Sequence, residues 1–349
     1  FIFPISKTLR YAIPFKQPEE TLAHLRRMKE EHNFDVVTYG DDGEKFGGWP
    51  ETYQWVYNET WLHRFFTAIE DSHDWIETAT FSEYIDHHPP TGRIYLPMAS
   101  YDEMMEWSLP TRTAWKFADL KQELKNRGLP EESYKVFLRG GQWDNFLTKY
   151  DESNNLHKKM LYVSKKVKKL PKELQKSSHA LQELYRGQCN CAQWHGLFGG
   201  LYLNYLRHAL YNHLIAAENL VDEASKKSAK QTVDIIDFNM DGRDEVLFSN
   251  KNMNAYFAPA SGGGLFELDY HPICFNLSNV LRRREETYHK TIREASQNTK
   301  TAGNQPQSIH DRVHFKEEGL QNMLFYDKYE RYSFLDHFLG EQTTLEKFK

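Results

Sequence analysis

The stretch TYGDDGEKFGGWP, residues 38–50, decides how the first part of this chain is expected to fold. A short β-rich segment, residues 34–39, leads into two aspartates and several turn glycines, and the stretch ends with Trp49 and a proline. In residues 51–69 apolar side chains recur at helical spacing, which predicts a helix. A strand that runs into acidic residues and then into a helix is how α/β barrels present catalytic groups at their C-terminal rim. Because a carboxyl group beside an indole is suited to cleaving or moving a sugar, the stretch is a candidate active site.

Composition excludes several classes of protein. The 349 residues carry a net charge of −5, so no basic surface indicates nucleic acid or an anionic membrane as a partner. No segment approaches the roughly 18 apolar residues of a membrane span. The aromatic share of 14% is enough to fill a core and also to line a sugar groove. Three cysteines, an odd and sparse set, favour a reducing compartment, so we expect a cytoplasmic protein, with no prediction about its oligomeric state.

Spacing and turn signals divide the chain into three regions. In the first, a helix that begins at Pro18, the strand and the helix after Pro50 form an αβα series, typical of the tail of an α/β domain. The cluster HHPPTG, residues 87–92, is the strongest boundary signal. The second region is expected to be a helical bundle, with predicted helices at residues 101–107, 113–126, 133–150, 153–169, 172–185 and 203–221.

The third region follows a charged linker at residues 222–230 and is expected to be rich in strands. Short segments separated by turn glycines suit the opening of a β-sandwich, with predicted strands at residues 232–238, 245–248, 254–258 and 265–270. Residues 296–309 are polar and rich in Asn, Gln and Thr, which predicts a mobile loop.

Four stretches of this sequence resemble one known family. Residues 41–50 and the run QCNCAQWHGLFGG, residues 188–200, look like conserved segments of glycoside hydrolase family 57, in its 4-α-glucanotransferase and α-amylase branch. The stretches SYDEMMEW, residues 100–107, and RGGQWDNFL, residues 139–147, are further matches. The order of the α/β tail, the helical bundle and the β-rich region also matches this branch, so the resemblance covers nearly the whole chain. The resemblance implies a multi-domain α/β, all-α and all-β protein: the C-terminal part of a (β/α)7-type barrel (1–88), a helical bundle completing the cleft (92–228) and an incomplete β-sandwich (231–349).

The resemblance implies a retaining enzyme that acts on α-1,4-glucans through two carboxyl groups, roughly 5–5.5 Å apart in retaining enzymes generally. By its position in the motif, Asp42 corresponds to the general acid/base, whose proton would be retained by burial beside an indole and a second carboxylate. The family's nucleophile is a glutamate on an earlier strand. The four glutamates before Asp42 lie in a predicted helix or its exit and do not match that motif: Glu19, Glu20, Glu30 and Glu31. We therefore expect the chain to be a fragment whose nucleophile lies upstream of Phe1.

Each residue of the first motif has a structural alternative. Asp41 and Asp42 also suit a turn that caps the next helix, and Asp41 is interpreted as the turn-former. Glu44 is either a carboxylate near the substrate or a solvated residue at a helix entry. Trp49 is expected to be a platform on which a sugar stacks, with packing beneath the loop as the alternative.

Trp194 and His195 are interpreted as lying at the start of a long helix. A lone histidine on an apolar face is usually a core residue with its hydrogen bonds satisfied. In the family this segment faces the active-site cleft, so the resemblance implies substrate contacts for both residues.

The stretch DFNMDGRDE, residues 237–245, has the spacing of a small cation loop. Asp237, Asn239, Asp241 and Glu245 supply oxygen at positions 1, 3, 5 and 9, with glycine at position 6, which suits calcium. A full EF-hand needs glutamate at position 12, where Phe248 stands instead. The alternatives are a short calcium loop and an ordinary acidic hairpin turn. No cofactor is required by the sequence, and a structural calcium at this loop is the one candidate.

Three functions remain open at this point. The first is a 4-α-glucanotransferase or α-amylase, with an α-glucan or maltooligosaccharide as substrate. The second is a non-catalytic glucan-binding or structural protein that keeps the cleft but not the nucleophile. The third, a metal-dependent sugar enzyme, would need a cluster of His and Asp near the strand end, and His32, His87 and His88 do not have such spacing.

Overall fold

A computed structural model describes residues 1–32, 36–96, 98–196, 198–225, 231–295 and 319–348. Its described residues divide into two compact units at residue 97. The first unit holds the described residues before that point, and the second holds those after it. The predicted mobile loop at residues 296–309 lies outside the described residues.

The first unit is helical wherever it has regular structure among its described residues. Its helices are α1 Lys7–Ala12, α2 Pro18–His32, α3 Trp61–Glu70 and α4 Phe81–His87. Leu9, Ile13 and Trp61 form its core. The helix predicted from Pro18 is confirmed. Of the predicted strand, Phe34 and Asp35 lie outside the described residues, and Thr38 makes a single parallel bridge to Ile5, so the barrel remains a prediction.

The single helix predicted over residues 51–69 is wrong. The structure has a π-helical turn at Gln54–Asn58. Thr60, whose φ is 57°, then interrupts the helix before α3 begins. A left-handed conformation cannot continue a right-handed helix. The break coincides with two tertiary hydrogen bonds, since Trp55 Nε1 donates to the Pro14 carbonyl and Trp61 Nε1 to the Lys16 carbonyl, each over 2.7 Å. Tertiary contacts therefore override the local helical spacing.

The second unit begins with eight helices among its described residues. They are α5 Asp102–Trp107, α6 Thr111–Asn126, α7 Glu131–Lys135, α8 Trp143–Lys149, α9 Asp151–Lys168, α10 Lys172–Ser177, α11 Ala180–Arg186 and α12 Asn204–Ala224. The main core lies where α9, α11 and α12 pack together, and includes Leu156, Leu184 and Leu214. The helix predicted over residues 203–221 is confirmed as α12, which buries Leu210, Leu214, Ala217 and Val221. No helix in the described part of the chain is both long and apolar enough to cross a membrane.

Two predicted helices of the bundle are each broken in two. The helix predicted over residues 133–150 is interrupted between α7 and α8, where a Cβ on Gly140 would lie 2.0 Å from the Met105 carbonyl oxygen. The Gly141 N–H donates to that same oxygen over 2.8 Å. The helix predicted over residues 172–185 is broken at His179, whose φ is 60°. At Gly140 the cause is a close approach to α5 that has no signature in the local spacing.

The strands form one antiparallel meander in chain order. They are β1 Thr232–Ile236, β2 Glu245–Ser249, β3 Met253–Ala258, β4 Gly264–Tyr270 and β5 Phe275–Asn276, followed by the helices α13 His289–Ala295 and α14 Leu345–Phe348. The four predicted strands are confirmed, whereas the two-residue β5 has no pattern to detect. Tyr256, Glu267 and Asp269 face α9 from this sheet, because Lys159 of α9 lies beside all three. The described residues contain this one sheet, so the sandwich remains a prediction.

Candidate functional site

Asp41 anchors the turn that contains both aspartates. Its side chain is only 3% exposed, and Lys45 Nζ lies 2.6 Å from its Oδ1. The Tyr39 hydroxyl donates to Oδ2 over 3.0 Å, and the Asp42 N–H donates to Oδ1 over 2.8 Å. Lys45 also donates to the Arg10 carbonyl oxygen over 2.5 Å. The turn is therefore built around a buried ion pair, a stronger constraint than the simple turn-forming role predicted for Asp41.

Asp42, the predicted acid/base, lies at the surface of the first unit. Its side chain is 46% exposed, and Arg10 Nη2 donates to its Oδ2 over 3.3 Å. Asp42 was expected to be buried beside an indole. The structure instead shows a half-exposed carboxylate next to the guanidinium of Arg10. Glu44 is exposed, and its backbone carbonyl accepts from the N–H groups of Gly48 and Trp49 over 2.8 and 3.0 Å. Those two hydrogen bonds bring the end of the stretch back toward its start.

Trp49 belongs to the same local cluster. Its ring stacks against Phe15 with centroids 5.9 Å apart, and Lys45 Nζ lies 5.7 Å from the ring centroid. A cation near an aromatic face is attracted by the ring quadrupole. Lys45 therefore links the buried Asp41 to the indole, and its part in the motif was not predicted. The role of Trp49 as a sugar platform remains a prediction.

Trp194 lies in an aromatic cluster of the second unit. Its ring stacks on Trp107 at 5.4 Å, and Phe198 packs edge-on at 4.7 Å. The segment was expected to be the start of a long helix. That prediction is wrong, because α12 begins ten residues later. Gly200, with φ of 38°, allows a tight loop in which the Leu201 N–H donates to the Trp194 carbonyl over 2.9 Å. A Cβ at Gly200 would lie 2.0 Å from that carbonyl oxygen, so the loop requires glycine there.

His195 is buried in a polar network behind this cluster. It is 4% exposed, and its Nε2 lies 2.6 Å from the Tyr150 hydroxyl, which in turn lies 2.8 Å from both carboxylate oxygens of Glu286. The Tyr202 hydroxyl also donates to Glu286. Burial lowers the pKa of His195 to about 4, against the opposing effect of Glu286, so its imidazole is neutral at pH 7. This environment matches the alternative of a core histidine, and direct substrate contact remains a prediction.

No sequence pattern indicates the partners of His195. Tyr150 falls at the end of a predicted helix, and Glu286 follows the run RRRE, which resembles a solvated charged segment. Tyr150 and Glu286 are 136 residues apart in the chain. Their pairing is a consequence of the tertiary fold.

The side-chain oxygens of the predicted calcium loop are directed at backbone amides. Glu245 is buried and accepts from the N–H groups of Phe238 and Asn239 over 2.9 and 3.2 Å. Asp237 accepts from the Asp241 N–H over 3.0 Å. Within the described ranges no three His, Cys, Asp or Glu side chains come together as a metal-binding group. The geometry therefore fits the acidic hairpin turn, and calcium remains a prediction.

Comparison with protein-family models defines the class of protein. A model described as glycosyl hydrolase family 57 matches residues 1–97. Models of the middle and C-terminal domains of α-amylase/4-α-glucanotransferase match residues 141–221 and 237–349. Three successive segments thus match domains of glucan-active glycoside hydrolases.

Individual relatives agree over the whole chain. An "Alpha-amylase 1" from Dictyoglomus thermophilum is 44% identical over 99% of this chain and 48% of its own length. A "4-alpha-glucanotransferase" from Thermococcus kodakarensis is 41% identical over 100% of this chain and 50% of its own length. The crystal structure of a 4-α-glucanotransferase from Thermococcus litoralis matches 82% of this chain and 43% of that chain, with a TM-score of 0.70 and 42% identity. The chain belongs to glycoside hydrolase family 57, in the α-amylase/4-α-glucanotransferase branch. It spans about half the length of the curated relatives that it matches.

Proposed function

We propose that the protein containing this chain is a retaining enzyme acting on α-1,4-glucans, of the 4-α-glucanotransferase or α-amylase type. The observation that carries the proposal is identity above 40%, over essentially the whole chain, to relatives that bear those two names. The turn around Asp41 and Lys45 supports it, because it presents the Asp42 carboxylate at the surface of a rigid loop.

The proposed mechanism is a double displacement. A glutamate outside these 349 residues attacks the anomeric carbon and forms a glycosyl-enzyme, while Asp42 gives its proton to the departing sugar oxygen. In the second step Asp42 takes a proton from the acceptor, which then attacks the anomeric carbon and releases the glutamate. Water as acceptor gives hydrolysis, whereas a sugar hydroxyl gives transfer.

The residues of this chain hold and orient the reacting groups in the proposal. The N–H of Asp42 is fixed by the buried Asp41 carboxylate, and Arg10 holds the Asp42 side chain. The rings of Trp49 and Trp194 offer apolar faces of the kind that pack on pyranose rings. Glu44 is a proposed polar contact. His195 is buried, so we assign it to the support of the loop that carries Trp194.

Substitution Asp42→Asn in the complete gene product tests the proposal. The amide keeps the shape of the side chain but cannot donate a proton as an acid, and we expect turnover of maltooligosaccharides to fall by about 10²- to 10⁴-fold. Binding of maltotriose should remain measurable. Asp74→Asn, which removes an exposed carboxylate from the same unit, is the matched control and should leave turnover unchanged. Retained activity in the Asp42→Asn variant would refute the assignment.

The same substrate separates the finer alternatives. Maltotriose converted to glucose and longer chains indicates a transferase, whereas rising reducing ends without longer products indicate a hydrolase. Binding without any turnover by the wild-type protein would favour the non-catalytic alternative.

Two further properties complete the proposal. A structural calcium at residues 237–245 would raise the melting temperature on calcium titration, and an unchanged melting temperature would discard it. We also propose a cytoplasmic location, in line with the three free cysteines, Cys189, Cys191 and Cys274. Fractionation of the producing cells would test the location.

A further inference from the structure

We infer that Glu286 is a positioning residue for the loop that carries Trp194 and His195, acting through the hydroxyl of Tyr150. The inference rests on the proposed function only in its claim that this loop affects glucan binding. Glu286 lies in the C-terminal part of the chain, after the sheet, and its side chain is almost fully buried, with the residue 1% exposed. The groups it holds belong to the helical part of the second unit.

The direction of each hydrogen bond follows from the chemistry of the carboxylate. An ionised carboxylate only accepts, so the hydroxyls of Tyr150 and Tyr202 must both donate to Glu286. The Tyr150 oxygen then has only lone pairs to offer to His195 Nε2, 2.6 Å away. This arrangement favours a proton on Nε2 of His195, in competition with the backbone of Gly196, which also interacts with the imidazole. Through this relay the charge on Glu286 favours one tautomer of a buried histidine that it does not touch.

The same relay fixes the position of the imidazole ring. The His195 ring lies edge-on against Tyr150 and Tyr202, with centroids 4.9 and 5.1 Å apart, and tilted against Phe146 at 5.6 Å. Because His195 follows Trp194 directly, an imidazole held on three sides restricts the peptide that places the indole.

A second connection reaches the other indole of the cluster. Lys149 Nζ lies 3.8 Å from Glu286 and donates to the Trp107 carbonyl over 3.1 Å. Trp107 in turn stacks on Trp194. Glu286 therefore constrains both stacked indoles, one through Tyr150 and His195 and the other through Lys149.

Stability alone gives no reason for a carboxylate in this position. Replacing a buried ionic group by apolar residues of similar volume is often neutral or stabilising, because desolvating the charge is costly. What the carboxylate supplies is direction, since it accepts from two hydroxyls and thereby favours the Nε2–H tautomer of His195. An apolar residue in place of Glu286 would leave the tautomer of His195 undetermined.

Substitution Glu286→Gln tests the inference with the shape of the side chain preserved. The amide can donate as well as accept, so Tyr150 can reverse and donate to His195 Nε2, which moves the histidine proton to Nδ1. We expect nitrogen NMR of the histidines to show the Nε2–H form in the wild-type protein and a loss of that form in the variant. For maltotriose we expect KM to rise about 2- to 12-fold, the equivalent of one aromatic contact, with little change in kcat.

Glu285→Gln is the matched control. It removes a carboxylate from the adjacent residue, whose partner is Arg293, and should change neither the tautomer nor KM. Tyr150→Phe is a second variant that breaks the relay without altering a charge, and it should also release the tautomer. If Glu286→Gln fails to fold, Tyr150→Phe decides the question.

The outcomes separate the inference from the proposed function. A wild-type protein that neither binds nor converts maltooligosaccharides overturns the proposed function, and the NMR comparison then decides the positioning role by itself. An unchanged tautomer in both Glu286→Gln and Tyr150→Phe overturns the inference. In an active enzyme, an unchanged KM in these variants, or an equal rise in Glu285→Gln, overturns it too.

Discussion

Substitution Lys159→Met removes a fully buried charge from the second unit. Lys159 lies in α9 with a fully buried side chain, and its Nζ is 2.7 Å from Asp269, 2.9 Å from Glu267 and 3.1 Å from Glu218. The Tyr256 hydroxyl accepts from the same ammonium over 2.9 Å. Burial opposes the charge of Lys159, but the three carboxylates outweigh it and hold the pKa of Lys159 well above its usual range. This ammonium joins α9, α12 and the sheet.

The magnitude follows from what methionine leaves behind. Methionine fills much the same volume, so the loss is electrostatic: the carboxylates of Glu218, Glu267 and Asp269 stay buried without their central cation. Breaking a buried pair by removing one partner costs about 3–5 kcal/mol. For a domain of this size each kcal/mol lowers the melting temperature by about 2–4 °C, so we expect a decrease of about 6 to 20 °C.

The assay is scanning calorimetry of the intact protein, with Glu267→Gln as the matched control. Burial raises the pKa of Glu267 well above its usual range, against the lowering effect of Lys159. Glu267→Gln removes one carboxyl group whose charge burial already disfavours, and it leaves Lys159 paired with Asp269 and Glu218. It should therefore change the melting temperature by less than half as much as Lys159→Met, which removes the one cation that all three carboxyl groups share. Similar losses in the two variants, or a Lys159→Met loss below about 1 kcal/mol, would refute the reasoning.

Three further predictions concern the turn, the broken helix and the buried histidine. Lys45→Met leaves Asp41 buried without its main partner, and urea unfolding should show a loss of about 3 kcal/mol; a loss below about 1 kcal/mol would contradict the role of the pair. Gly140→Ala places a methyl group against a carbonyl oxygen of α5 and should cost about 1–3 kcal/mol in the same assay, whereas Gly92→Ala, with open space around it, should cost little. The pKa of His195 is lowered from 6.5 to about 4, so the unfolded chain binds a proton that the folded protein excludes. Its contribution to stability is therefore present above pH 6.5 and falls by about 3 kcal/mol as the pH drops to 4, and an NMR titration with a midpoint near 6.5 would argue against this.

Regular spacing determined the elements that the sequence predicted well. The helices α2 and α12 follow from apolar residues recurring within one element, and β2, β3 and β4 follow from short segments bounded by turn residues, among them Gly242 and Gly262. These signals are local, because each element must present a buried face whatever its neighbour is. The same locality explains the errors. At Gly140 the predicted helix is interrupted because α5 approaches closely. The spacing of apolar residues around Gly140 does not indicate that contact.

For the candidate site, the sequence by itself determined the motifs, the family and the choice of Asp42 as acid/base candidate. Tertiary structure alone decided that Asp41 is the buried member of the pair, since its burial depends on Lys45 and Tyr39 closing over it. It also decided that His195 and Glu286 meet through the hydroxyl of Tyr150, although Glu286 lies after the sheet in the chain. The physical reason is that a residue pattern records the face that an element buries. Which polar side chain meets another across 136 residues is set only when the elements pack.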